Sequence, residues 1–65
     1  MPNPAPIEFI DLHEVSRRVC LKKSAIYKMQ RTAGFPKPVR LGAKAVRWNA
    51  AEIDAWQREQ LAARA

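Results

Sequence analysis

Leu12-His13-Glu14-Val15-Ser16-Arg17-Arg18-Val19, then Cys20-Leu21-Lys22, then Lys23-Ser24-Ala25-Ile26-Tyr27-Lys28-Met29-Gln30-Arg31-Thr32-Ala33, is the stretch on which the fold turns. Leu12, Val15, Ser16 and Val19 have the i, i+3, i+4, i+7 spacing of a buried helical stripe. Asp11 stands at the capping position, with Glu14 three residues on, and Ile10 and Val15 take the two staple positions around that cap. Acids precede the helix or fill its first turn, and Arg17 and Arg18 fill its last, as the helix dipole favours. The reading is a helix over 12–19. After the three-residue connection a second helix is expected over 23–33. Gly34 then sits where a left-handed residue ends a helix, and Pro36 and Pro38 prevent continuation. Ala25, Ile26 and Met29 share one face of this helix. Ser24, Tyr27 and Arg31 share the other, flanked by Lys23 and Lys28.

Beyond it, Val39-Arg40-Leu41, Gly42-Ala43-Lys44-Ala45 and Val46-Arg47-Trp48 read as a short hairpin. With a four-residue loop, Val39, Leu41, Val46 and Trp48 point inward, and Arg40 and Arg47 point outward together. Asn49 and Glu52 repeat the cap spacing, which predicts a third helix over 50–61 with Ile53, Trp56 and Gln60 or Leu61 on its inner side. Residues 1–6 contain three prolines and read as an extended arm, residues 7–61 as one domain, and residues 62–65 as a fraying end. The expectation is a mainly α fold with a small β-hairpin: three helices and a two-stranded wing, a winged helix-turn-helix.

The chain of 65 residues carries a net charge of +6. Ten basic residues (Arg17, Arg18, Lys22, Lys23, Lys28, Arg31, Lys37, Arg40, Lys44, Arg47) fall between Val15 and Ala51 with no acid among them. All six acids (Glu8, Asp11, Glu14, Glu52, Asp54, Glu59) lie outside that block. A solvated surface is the ordinary reading of a basic run. An acid-free block across most of a fold repels itself and points to a polyanionic partner. The single cysteine, Cys20, has no disulfide partner within the chain and reads as a small buried residue between the helices. His13 is alone and reads as a surface residue, so no metal is expected. Caps and helix starts account for the acids, leaving no carboxylate pair for acid-base chemistry. With no phosphate loop and no activated nucleophile, neither an enzyme nor a cofactor is expected. No apolar run is long enough to span a membrane, and the start lacks a secretion signal, so the expected location is the cytoplasm.

A helix pair with a short connection reads DNA when its second helix hides an apolar face and presents a polar, basic one to the major groove. The second helix has both. Ser24, Lys28 and Arg31 can donate to bases or phosphates, Tyr27 can pack on sugar, and Lys22 and Lys23 can hold phosphates at the helix start. Against this, Tyr27 also suits half-buried packing, and the lysines also suit solubility. On the wing, Arg40 and Arg47 opposed on two strands repel unless a phosphate bridges them, and Lys44 sits at the tip. Alternatively, both arginines splay into water. Trp48 and Trp56 read as core rather than as stacking platforms. Two further classes fit the charge: a basic adaptor that docks on an acidic protein, and an RNA binder, for which only Tyr27 offers a stacking surface.

With these residues in view, the chain resembles the AlpA family of small phage and mobile-element regulators, within the MerR-like winged-helix group. The resemblance covers about Ile10 to Trp56. It is carried by Gly34-Phe35-Pro36-Lys37-Pro38-Val39-Arg40-Leu41-Gly42, by Val46-Arg47-Trp48, by Glu52-Ile53-Asp54-Ala55-Trp56, and by Ser24-Ala25-Ile26-Tyr27-Lys28 in the helix-turn-helix. The chain departs from the family at Cys20, where glycine is common, at Lys22, where a serine cap is common, and at Ala25, where threonine is frequent. The resemblance implies two linked roles on double-stranded DNA. One is transcriptional regulation of a prophage or integrative element. The other is excision, with copies bound head to tail and with contact to an integrase.

Overall fold

The computed structural model describes residues 6–64. In chain order it has β1 (Phe9–Ile10), α1 (Leu12–Val19), α2 (Lys23–Thr32), β2 (Val39–Arg40), β3 (Val46–Asn49) and α3 (Ala50–Ala63). The three helices and the small antiparallel sheet form a winged helix-turn-helix. Of the proline-rich arm only Pro6 is described. α3 runs two residues past the expected Leu61, to Ala63, with Arg64 as its cap.

Local chemistry sets the helix ends. The Asp11 carboxylate accepts from the Glu14 backbone N–H at 2.9 Å. Glu14 does not return the bond. Its carboxylate is taken by Arg17 at 2.7 Å and Arg18 at 2.8 Å instead. Those side-chain hydrogen bonds, Arg17 first, hold the Glu14 carboxyl down to about 2. Asn49 caps α3 one residue earlier than the box spacing suggests, accepting from Ala51 N–H at 2.8 Å.

Between α1 and α2 the chain turns through Cys20 in the left-handed region, at φ 57° and ψ 39°. The Ser16 carbonyl accepts from both Cys20 N–H and Leu21 N–H, and the Ser16 hydroxyl donates back to the Leu21 carbonyl. Cys20 is exposed, contrary to the sequence expectation of a buried residue. The left-handed backbone that closes the turn carries its side chain outward rather than into the gap between the helices. A non-glycine residue in this conformation costs about 1–2 kcal/mol. Cys20→Gly should therefore raise the unfolding free energy by about 0.5–1 kcal/mol once the looser unfolded chain offsets part of the relief. Urea titration with an unchanged m-value checks this, and a lower midpoint for the glycine variant refutes it.

The core is formed by Ile10, Val15, Ile26, Phe35, Trp48, Ala50 and Ile53, with Leu12, Val19, Leu21, Met29, Val46 and Trp56 packed around it. Each helix contributes the apolar stripe its spacing predicts, but α3 less of it than expected. Ile53 is fully buried and Trp56 half-buried, while Gln60 and Leu61 are exposed. α3 meets α1 at Gln57, whose Nε2 donates to the Arg18 carbonyl at 2.9 Å. Val19, the last residue of α1, lines an open groove with Gln60 and Leu61 of α3.

The sheet differs from the expected hairpin in two ways. It has three strands in the order β1-β3-β2, because Phe9 pairs with Asn49 and Ile10 with Trp48. Its wing register is shifted by one residue, with Val39 opposite Arg47 and Arg40 opposite Val46. Leu41 N–H bonds to the Ala45 carbonyl at 2.7 Å and closes a three-residue loop of Gly42, Ala43 and Lys44. Arg40 and Arg47 are therefore not cross-strand partners. Alternation places them on opposite faces of the wing. Val39 and Leu41, expected inward, share the outward face with Arg47 and are exposed. The cause lies outside the hairpin. β1 fixes which side of β3 faces inward, and the Trp48 indole N–H donates to the Pro36 carbonyl at 3.1 Å, tying down the segment that leads into β2. Those two anchors, and not the alternation of β2 itself, decide the phase of the wing.

Candidate nucleic-acid interface

α2 is the element the rest of the fold holds out. Ile26 is its one fully buried residue, and Ala25, Met29 and Gln30 are half-buried. Lys22, Lys23, Ser24, Tyr27, Lys28 and Arg31 are all exposed, as their face of the helix predicts. Tyr27, at 46% exposure, is not a core residue. Ser24, Tyr27, Lys28 and Arg31 follow i, i+3, i+4, i+7 and so form one stripe.

The start of α2 is electrostatically unusual. Lys22 is its N-cap, in extended backbone and without a side-chain hydrogen bond, and no acid sits in the first turn. The first N–H groups and the positive end of the helix dipole thus meet two lysines rather than a carboxylate. An anion supplied from outside satisfies both.

Salt bridges sort the ten cations of the basic block. Arg17 and Arg18 both pair with Glu14, and Arg18 also lies 3.7 Å from Glu8. Among the described residues Lys22, Lys23, Lys28, Arg31, Lys37, Arg40, Lys44 and Arg47 form none; the remaining ion pair is Arg58 with Asp54 on α3. The unpaired cations of the block therefore fall on α2 and its cap, the wing and the connection between them, and the acids just before β1, on α1 with its cap, and on α3.

Of the wing candidates, Arg40 and Lys44 are exposed. Arg47 is half-buried, and its Nη1 donates to the Val46 carbonyl at 2.8 Å, so its guanidinium lies back along its own strand. The opposed-arginine phosphate clamp read from the sequence is not formed. Lys37 lies outside the residues singled out by helix face or strand parity. Its signal was the flanking pair of prolines, whose fixed φ restricts the backbone between α2 and β2.

Among the described residues there is no group of three or more His, Cys, Asp or Glu placed to hold a metal. No helix there is long and apolar enough to cross a membrane. A groove of about 360 Å³ between the end of α1 and α3 is lined by Val19, Trp56, Gln57, Gln60, Leu61 and Arg64, and holds no nucleophile or acid-base pair.

A tight turn, an exposed cationic second helix and a short wing define a small domain of the winged helix-turn-helix class. The chain belongs to the AlpA family: the family described as prophage CP4-57 regulatory protein (AlpA) matches residues 8–61. It is also 33% identical to a protein of Enterobacteria phage P4 described as uncharacterized protein ORF88, over 97% of this chain and 85% of the relative. No solved structure matches it significantly.

Proposed function

We propose that this phage-type regulatory protein binds double-stranded DNA sequence-specifically and controls transcription of a prophage or integrative element. The supporting observation is the stripe Ser24, Tyr27, Lys28 and Arg31 on a helix whose opposite side is locked into the core by Ile26. In this reading α2 enters the major groove. Ser24, Tyr27, Lys28 and Arg31 meet base edges or backbone there, and Lys22 and Lys23 hold phosphates at the helix start. Arg40, Lys44 and Arg47 reach the flanking backbone. Since Arg40 lies opposite Val46 and Arg47 opposite Val39, the three would act separately rather than as one clamp.

A single module of this size covers about 600–1,000 Å² of interface, so tight binding calls for more than one copy on a site. That requirement is shared by the excisionase role, in which copies associate head to tail and meet an integrase. Footprinting on the DNA around the protein's own gene tests the proposal. One protected site at a promoter is the expected result. Evenly phased sites beside an attachment site replace the transcriptional role with excision, and no protection in dilute buffer refutes both.

A further inference from the structure

The connection between α2 and the wing, residues 33–38, is anchored at Ala33, Phe35 and Pro36. Ala33 N–H and Phe35 N–H both bond to the Met29 carbonyl, at 2.8 and 3.3 Å. Gly34 makes the turn at φ +69°, a conformation that side chains rarely adopt. The Phe35 ring is 2% exposed and meets Trp56 edge to face, with centroids 4.8 Å apart. The Pro36 carbonyl is held by the Trp48 indole. Pro38 then leads into β2, and both prolines have fixed φ. Pro36 and Pro38 are half-buried, and Lys37 between them is exposed. Glu52 and Glu59 line a groove with Gly34 and Pro36, yet neither pairs with Lys37.

We infer that Lys37 is a preorganised phosphate-binding residue, set on a rigid strap between the two elements proposed to touch DNA. The inference rests on that DNA-binding reading and deepens it. A lysine on a mobile loop loses backbone freedom when it captures a phosphate, whereas here folding has already fixed the backbone. Its contact is with the sugar-phosphate chain and carries no sequence information.

Lys37→Gln should bind specific and random duplexes about five- to tenfold more weakly at ~0.1 M salt, with a log-affinity against log-salt slope shallower by about 1. Lys37→Arg should restore both. Pro38→Ala, which keeps the charge and loosens the strap, should lose part of the affinity with the slope unchanged. Thermal melting of the exposed Lys37 variants should match the wild type. Lys37→Gln binding with wild-type affinity and slope overturns the inference alone. A wild-type protein that binds no duplex overturns the DNA-binding reading itself.

Discussion

Trp48→Ala should strip the domain of most of its stability. Trp48 is 1% exposed, pairs across the sheet with Ile10, and ties the strap to the wing through its indole N–H on the Pro36 carbonyl. Truncating a buried tryptophan costs about 3–5 kcal/mol. A domain of 65 residues has about 3–10 kcal/mol in total, so the loss consumes most of its stability. Far-UV circular dichroism with urea titration reads this directly. Trp48→Phe, which keeps much of the bulk and removes the N–H, should remain folded with a lower midpoint. An alanine variant that unfolds cooperatively near the wild-type midpoint would show that the core does not hinge on this residue.

The second large effect is on discrimination. Arg31 is exposed near the end of α2, in no ion pair among the described residues, and in line with Ser24, Tyr27 and Lys28. A guanidinium there can take two acceptors on one base edge. Arg31→Ala should therefore lose about 1–3 kcal/mol of discrimination at one base pair, with its melting temperature unchanged. Titration against a set of single-base variants of the site measures this. Equal losses on the specific and random duplexes would make Arg31 a phosphate contact instead.

What was legible in the sequence is what local chemistry decides. The bounds of α1 follow from the Asp11 cap and from the turn after Val19, and the start of α2 from the short connection that follows. The exposed stripe on α2 follows from helical period alone. The features that escaped are long-range. The partners of β1, residues 48 and 49, lie some forty residues away, and no feature of Phe9-Ile10 announces them. The wing phase depends on Trp48 reaching Pro36, which strand alternation does not encode. Phe35 lies in a proline-flanked loop, a place where composition suggests exposure, yet it is buried against Trp56. Leu61 fits the periodicity of α3 but stands 59% exposed, on an open groove rather than in the core. Exposure along α2 was legible where the sheet register was not, since it needs only one helix face to be right. The arginine clamp needed a cross-strand register and failed with it.

Binding of a duplex by the free cations of α2, the strap and the wing acting together is the central claim. Fluorescence anisotropy of a labelled duplex, titrated with protein across a series of salt concentrations, measures that directly. Five to eight phosphate contacts predict log affinity falling with log salt at a slope of about −4 to −7. A folded sample that leaves the duplex free in dilute buffer, or binds it with a slope near zero, contradicts the account.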